Sequence, residues 1–249
     1  MKAIAIIPAR YDSSRFPGKP LSMIGDKSMI RRVYERVRLS GIKDVIVATD
    51  DKRIKDHAEK FGAEVIMTSK KHQSGTERCA EAYRKSGKSS DIVINIQGDE
   101  PFIEPWHIKL LTKAFSKKEV QIATLADHFE DQDSLFSPNT VKIVTDKNNM
   151  SMYFSRSVIP FIRDSNTSEW IEKTSFLRHV GIYAFRSSVL QEVVKLQPNQ
   201  IEASESLEQL RWLYHGYKIK IIECTYHGIS VDTPEDLERA NYLLNTIYG

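Results

Sequence analysis

The chain has 249 residues, of which 41% are hydrophobic and 28% are charged, the proportions of an ordinary globular protein. Its 11 Gly and 9 Pro exclude collagen-like and low-complexity proteins, and its 2 Cys are too few for a disulfide framework or a zinc site. The 36 Lys and Arg and the 33 Asp and Glu give a net charge of +3, which is too balanced to indicate a protein that binds nucleic acid or a membrane surface.

No targeting or membrane segment is expected. The first apolar run, residues 3–7, ends at Pro8 and is too short for the core of a signal peptide. No stretch approaches the roughly 18 apolar residues of a membrane span. Cys79 and Cys224 fit a reducing compartment. We therefore expect a cytoplasmic protein that does not insert into membranes.

The first half of the chain alternates short apolar runs with helical patterns. The runs, which predict strands, are at 3–7, 45–48, 65–67, 92–96 and 122–126. Several lack polar alternation, which is typical of strands buried on both faces of a parallel sheet. Apolar residues at helical spacing predict helices near 30–37, near 54–61 and from 105 onward. This order predicts an α/β protein with a mostly parallel central sheet flanked by helices.

The second half differs in composition. Residues 141–144 and 179–185 predict further strands, and the segments around them are rich in Asp, Asn, Ser and Thr. We interpret about 127–190 as an inserted antiparallel region that serves as a lid or in dimerisation. A helix at 204–214, a strand at 219–224 and a helix at 234–247 close the chain. We predict a single domain, 1–249, that carries this insertion.

The loop after the first strand is the first candidate site. It places Arg10, Arg15 and Lys19 among small, hydroxyl and turn residues. A loop at the carboxyl end of a parallel strand can present cations and backbone N–H groups to phosphate oxygens. It is neither the GxGxxG dinucleotide motif nor a Walker loop. A solvated basic loop is the alternative reading.

Two aspartates in distant segments form the second candidate. Asp99 follows the strand at 92–96, although its neighbours are turn formers and a plain turn stays open. Asp232 precedes the closing helix, where Thr233 and Asp236 form a capping-box pattern that leaves the Asp232 carboxylate unused. Carboxylate oxygens suit Mg²⁺, so Asp99 and Asp232 could share one ion.

Other polar residues carry weaker signals. Arg78 could bind a carboxylate with two parallel hydrogen bonds. Glu205, Glu208 and Gln209 fall on one stripe of the predicted helix, which is equally typical of a solvated face. The absence of CxxC, HExxH and GxSxG motifs leaves zinc-hydrolase and serine-hydrolase readings without support.

Taken together, the motifs resemble, in order and over nearly the whole chain, the 3-deoxy-manno-octulosonate cytidylyltransferases, also called CMP-Kdo synthetases. The matching segments are IIPARYDSSRFPGKPL (6–21), VATDD (47–51), HQSGTER (72–78), INIQGDEP (94–101), PNTVKIV (138–144), YFSRSVIP (153–160), RHVGIYAFR (178–186), ESLEQLR (205–211) and VDTPEDLE (231–238). The last segment is shared with other sugar nucleotidyltransferases and is not specific by itself.

The resemblance implies a nucleotidyltransferase fold, Rossmann-like and glycosyltransferase-A-like, and a Mg²⁺-dependent homodimer. It implies that CTP and the acidic sugar Kdo become CMP-Kdo and pyrophosphate for lipopolysaccharide biosynthesis. Activation of 8-amino-Kdo or of another acidic sugar, such as a sialic acid, stays open. A nucleotide-binding regulator without catalysis is the non-enzyme alternative.

The resemblance also assigns residues. Asp99 and Asp232 fall on the metal-binding aspartates and, with Lys19 and Arg10, on the catalytic positions. The nucleotide-binding positions are Pro8, Ala9, Arg10, Ser13, Arg15, Lys19, Arg78 and Gln97. The sugar-binding positions are Arg78, Gln97, His179, Tyr183, Glu208 and Gln209. The turn at 147–152 departs from the family pattern, but Asn149 can still adopt the left-handed conformation, so we expect only a local change there.

Overall fold

The apolar run that opens the chain forms strand β1 (Ala3–Ala9), whose residues Ile4, Ala5, Ile6 and Ile7 are completely buried. The computed structural model describes residues 1–12 and 15–247. These divide into two compact units, Met1–Thr112 with His227–Gly249, and Lys113–Tyr226. The single domain with an insertion at about 127–190 stays a prediction.

A parallel sheet forms the centre of the first unit. Its strands run in the order β6 (Ile92–Asn95), β1, β4 (Asp44–Thr49) and β5 (Glu64–Met67), all parallel. The helices are α1 (Met29–Leu39), α2 (Lys52–Lys60), α3 (Gly75–Ser86), α4 (Pro105–Ala114) and α10 (Pro234–Ile247). Because β1 lies between β6 and β4, the loops after β1 and β6 leave the same edge side by side.

A short hairpin attaches the C-terminal helix of this unit. It consists of β2 (Met23–Ile24) and β3 (Lys27–Ser28). Ile24, Met29, Phe102, Val231 and Ala240 form one buried cluster. This cluster fixes the segment before α10 beside the loop that follows β6, since Val231 N donates to Asp99 O at 3.0 Å.

The second unit is mostly antiparallel. β11 (Ile219–Glu223) pairs parallel with β7 (Ile122–His128), which pairs antiparallel with β10 (Leu177–Arg186). β10 also pairs with β8 (Lys142–Thr145), and β8 pairs with β9 (Ser151–Ser155). The helices are α5 (Gln132–Phe136), α6 (Trp170–Lys173), α7 (Ser187–Val193), α8 (Gln200–Glu205) and α9 (Gln209–Tyr214). The predicted antiparallel strands at 141–144 and 179–185 are therefore confirmed.

Two local expectations have different outcomes. Asn149 has φ 56°, so the left-handed turn is confirmed. The prediction of a single helix at 204–214 is wrong, because Ser206 has φ 51° and separates α8 from α9. The Glu205 carbonyl accepts a hydrogen bond from Arg156 Nε at 2.7 Å instead of continuing the helix. Glu205, Glu208 and Gln209 consequently do not share one helical stripe. Among the described residues, no helix is both long enough and apolar enough to cross a bilayer.

Candidate active site

A polar pocket opens at the carboxyl ends of β1 and β6 in the first unit. Its lining includes most of the residues predicted there, namely Pro8, Ala9, Arg10, Arg15, Lys19, Arg78, Gln97, Asp99 and Asp232. Ser13, also predicted, lies outside the described residues. The parallel topology thus brings the basic loop and the two aspartates to one place, as expected for ligand sites in α/β sheets.

Lys19 joins the two aspartates. Its Nζ lies 2.7 Å from Asp99 Oδ2 and 2.9 Å from Asp232 Oδ1. Arg15 Nη2 lies 3.1 Å from the other oxygen, Asp232 Oδ2. The Lys19 side chain is only 12% exposed, whereas Arg15 is 61% exposed. The centre of this cluster is therefore an ammonium held between two carboxylates and largely shielded from water.

Two glycines let the loops reach this arrangement. Gly18 has φ 73°, and its N donates to Tyr11 O at 2.8 Å, which closes the basic loop and places Lys19 at the start of a 3-10 turn (Lys19–Leu21). At Gly98 a Cβ would lie 3.0 Å from Pro8 O, so a side chain would push apart the loops after β1 and β6. The absence of a side chain at Gly98 allows the close approach that puts Asp99 beside the basic loop.

The segment around Asp232 forms the predicted capping box. Asp236 Oδ2 accepts hydrogen bonds from Asp232 N and Thr233 N, both at 3.1 Å. Asp236 N donates in return to Thr233 Oγ1 at 3.2 Å. These contacts begin α10 and leave the Asp232 carboxylate to face Lys19 and Arg15.

The charges in the cluster support one another. Burial alone would lower the pKa of Lys19, but the charges of Asp99 and Asp232 and their hydrogen bonds outweigh it, and the pKa is raised. Burial alone would raise the pKa of Asp232, but Lys19 and Arg15 outweigh it, and the pKa is lowered. Both groups are therefore ionised near neutral pH.

Arg78 binds a carboxylate of the protein itself. Its Nη2 donates to Asp50 Oδ2 at 2.8 Å and its Nη1 to Thr68 Oγ1 at 2.6 Å. Gln97, on the opposite loop, donates from Nε2 to Asn95 Oδ1 at 3.3 Å. Both side chains line the pocket, and their contacts with nucleotide or sugar stay predictions.

The loop before α3 is part of the pocket, although only Arg78 of the motif at 72–78 was predicted to bind a ligand. Residues His72, Gln73, Ser74 and Gly75 all line it. Ser74 Oγ accepts from Glu77 N at 3.2 Å and thereby caps α3. The sequence signal was the Ser-x-x-Glu pattern at 74–77, which marks a helix N-terminus, a place suited to anions.

Glu81 anchors this loop to α3. It shares a hydrogen bond with His72 Nε2 and accepts another from Ser69 N at 2.8 Å. Burial alone would raise the pKa of Glu81, but hydrogen bonds from Lys85, Ser69 and His72 outweigh it and lower the pKa to about 2. Glu81 is therefore a permanent anion that holds the loop in place.

The remaining predicted residues lie in the second unit. His179 Nε2 lies 3.0 Å from Thr124 Oγ1, and the His179 and Tyr183 ring centroids are 5.2 Å apart. Tyr183 also meets Trp212 of α9 edge-on, at 5.0 Å between centroids. Within the described parts of the chain, the buried atoms Tyr183 Oη and Gln209 Nε2 have no hydrogen-bond partner.

Burial keeps the His179 and Tyr183 side chains neutral. Burial lowers the pKa of His179 to about 3. Burial, together with the charge of Glu208, raises the pKa of Tyr183 well above its usual value. The group therefore offers uncharged hydrogen-bonding atoms near one carboxylate. Unsatisfied buried polar atoms of this kind are rare in proteins, so these two call for a bound partner such as water or a ligand.

Comparisons with known proteins identify the family. A family model described as cytidylyltransferase matches residues 4–221. The 3-deoxy-manno-octulosonate cytidylyltransferase of Parabacteroides distasonis is 51% identical over 244 residues, which cover 96% of this chain and 97% of that protein. The chain belongs to this family. The enzyme of the same name from Porphyromonas gingivalis is 50% identical over 242 residues, covering 96% of this chain and 95% of that one.

A solved structure agrees with the family. It is a CMP:2-keto-3-deoxy-manno-octonic acid synthetase complexed with CTP, 42% identical, with a TM-score of 0.91 and coverage of 98% of this chain and 99% of that one. The resemblance stated from the motifs is therefore confirmed. So are the nucleotidyltransferase fold, a mixed and mostly parallel sheet flanked by helices, and the assignment as a cytidylyltransferase enzyme.

Proposed function

We propose that the chain transfers CMP from CTP to Kdo, giving CMP-Kdo and pyrophosphate for lipopolysaccharide biosynthesis. The observation that carries the proposal is the meeting of Asp99, Asp232 and Lys19 in the pocket of a chain whose relatives are 3-deoxy-manno-octulosonate cytidylyltransferases. We also propose that it acts as a cytoplasmic homodimer, as the family resemblance implies.

The basic loop supplies the charge that a triphosphate needs. Arg10, Arg15 and Lys19 all line the pocket and would bind the phosphates of CTP. Pro8 and Ala9, at the end of β1, would meet the cytosine through their backbone. Cations fixed in advance by a folded loop need little rearrangement when charge develops on the phosphates, which is a large source of catalysis in phosphoryl transfer.

The two aspartates have the donor chemistry that Mg²⁺ requires. The described residues contain no group of three or more His, Cys, Asp or Glu that could hold a metal ion by themselves. Asp99 and Asp232 would therefore hold the ion together with substrate phosphate oxygens, as is usual for this cation. When bound, Mg²⁺ supplies positive charge to the α-phosphate and favours ionisation of the attacking hydroxyl.

The reaction is an in-line displacement at phosphorus. The oxygen of the C2 hydroxyl of the sugar forms a bond to the α-phosphorus as the bond from that phosphorus to the bridging oxygen breaks. The hydroxyl loses its proton to solvent, and pyrophosphate leaves with the electrons of the broken bond. Lys19, Arg10 and Arg15 would stabilise the charge on the phosphate oxygens. Removing one such contact typically lowers the rate by about 10²–10³-fold.

The group of side chains in the second unit supports the choice of a polyhydroxylated sugar. Tyr183 Oη and Gln209 Nε2 are buried donors without a partner in the described structure, and sugar hydroxyls would satisfy them. Together with His179 and Glu208, these are the residues that the family resemblance assigns to the sugar. Arg78 and Gln97, which line the pocket of the first unit, stay predicted sugar-binding residues.

A pyrophosphate-release assay tests the proposed function. The full-length protein is incubated with CTP and Mg²⁺, and Kdo, 8-amino-Kdo or N-acetylneuraminate is offered separately. We expect pyrophosphate with Kdo and CMP-Kdo as the second product. Pyrophosphate release with only one of the other sugars would show that this sugar, rather than Kdo, is the substrate. CTP binding without release from any sugar would favour a nucleotide-binding regulator.

A further inference from the structure

The ammonium of Lys19 takes up the carboxylate oxygens that a divalent ion would need. It contacts Asp99 Oδ2 and Asp232 Oδ1 at 2.7 and 2.9 Å, and Arg15 takes Asp232 Oδ2 at 3.1 Å. We propose that Lys19 is a placeholder cation, which competes with the divalent ion for Asp99 and Asp232 in the free protein and leaves them when a nucleotide triphosphate binds. This inference rests on the proposed function, because it takes these two aspartates as the metal ligands.

The charge balance of the cluster supports competition. Two carboxylates brought this close together repel each other unless a cation lies between them. Lys19 and Arg15 match the two negative charges of Asp99 and Asp232 one for one. A divalent ion that enters this cluster must displace hydrogen-bonded ammonium from a site where Lys19 is only 12% exposed. Free protein is therefore expected to bind divalent ions weakly.

The structure also shows how Lys19 can leave. Its backbone is fixed, because Lys19 N donates to Phe16 O at 3.2 Å and Ser22 N donates to Lys19 O at 3.1 Å. Its side chain has a flexible four-carbon stem, so the ammonium can move by rotamer changes alone. The pocket that it lines also contains Arg10 and Arg15, which would draw a triphosphate to the same place.

A coupling between the two ligands follows. A triphosphate offers several charged oxygens to Lys19, and the aspartates that it leaves become available to a divalent ion. Nucleotide should therefore strengthen metal binding, and by reciprocity metal should strengthen nucleotide binding by the same factor. Bonds from the ion to the substrate phosphates would contribute coupling of their own, so the share that belongs to Lys19 is the share that its substitution removes.

The test measures Mn²⁺ binding by the loss of the free-ion EPR signal, without sugar, so that no turnover occurs. Lys19→Met removes the charge and keeps the length of the side chain, and Lys19→Gln keeps a hydrogen-bond donor. Lys60→Met, at an exposed position of α2, controls for the loss of one positive charge. Without nucleotide, both Lys19 variants should bind Mn²⁺ about tenfold more tightly than the wild type, because charge-assisted hydrogen bonds no longer compete. The control should change less than about twofold.

Adding CTP completes the experiment. After the Mn²⁺ bound by the same concentration of CTP without protein is subtracted, wild-type protein should bind Mn²⁺ at least about tenfold more tightly than without CTP, and this gain should shrink in both Lys19 variants. Equal or weaker Mn²⁺ binding by folded Lys19 variants in the absence of CTP would overturn the placeholder role. If Asp99→Asn and Asp232→Asn bind Mn²⁺ with CTP as tightly as wild type, the proposed metal site itself is wrong, which is a separate failure.

Discussion

The ion pair beneath the pocket gives a quantitative prediction. Arg78 Nη2 lies 2.8 Å from Asp50 Oδ2, and the two side chains are 5% and 15% exposed. Arg78 Nη1 also donates to Thr68 Oγ1 at 2.6 Å. Arg78→Met keeps the length of the stem but removes the charge, so it leaves the Asp50 carboxylate with little water and no cation.

The expected loss follows from this geometry. Removing one partner of a buried pair usually costs about 3–5 kcal/mol of unfolding free energy. Because water reaches part of Asp50, we expect about 3 kcal/mol for Arg78→Met. Asp50→Asn keeps an acceptor for Arg78 and should cost about 1–2 kcal/mol. The double variant should lose less than the sum of the two, by about 1–2 kcal/mol, since each change removes the same contact.

Urea denaturation of the wild type, both single variants and the double variant measures these free energies. Arg84→Met, an exposed arginine of the same helix, is the matched control and should change stability by less than about 0.5 kcal/mol. If Arg78→Met were as stable as this control, the ion pair would not hold the loop after β5 in place. Additive losses in the double variant would likewise show that Arg78 and Asp50 do not stabilise each other.

Three further predictions concern a buried amine, a buried imidazole and the charged cluster. The Lys142 side chain is fully buried and its Nζ donates to three backbone carbonyls. Lys142→Met should therefore lower the free energy of unfolding by about 2–4 kcal/mol. An unchanged midpoint in urea denaturation would contradict this. The pKa of His179 is lowered to about 3, so the unfolded chain binds a proton below about pH 6.5 that the folded chain does not. Stability should fall by up to about 1.4 kcal/mol per pH unit from there toward pH 3, and His179→Gln should lose this part of the pH dependence; identical pH profiles would count against it. Asp99→Asn and Lys19→Met should each lower pyrophosphate release by at least about 10²-fold at saturating CTP and Mg²⁺, and near-normal turnover would show that the assigned roles are wrong.

The sequence predicted that Asp99 and the basic loop lie at one edge of the sheet, because each of them directly follows a predicted parallel strand. Apolar runs without alternation indicated parallel strands, and the carboxyl ends of neighbouring parallel strands share one edge. The position of Asp232 followed less directly. It depends on the hydrogen bond from Val231 N to Asp99 O, which no local pattern reveals.

The features that were missed depend on tertiary contacts. The break at Ser206 coincides with a hydrogen bond from Arg156, which follows β9, to the Glu205 carbonyl, and helix periodicity cannot show this. Arg78 was predicted to bind a carboxylate with two parallel hydrogen bonds, but it donates one to Asp50 and another to Thr68, and its contact with a ligand stays a prediction. The charge of a side chain on α3 can be read from the sequence. Its partner cannot, because it depends on how β4 and β5 pack around the helix.

The most direct test of the central claim is a crystal structure with CTP and Mn²⁺, in which anomalous scattering locates the metal ion. We predict an ion bonded to one carboxylate oxygen of Asp99, one of Asp232 and the α-phosphate, with the Lys19 ammonium on the triphosphate. An ion bound elsewhere, or the two carboxylates still joined through Lys19 with CTP in place, would contradict it.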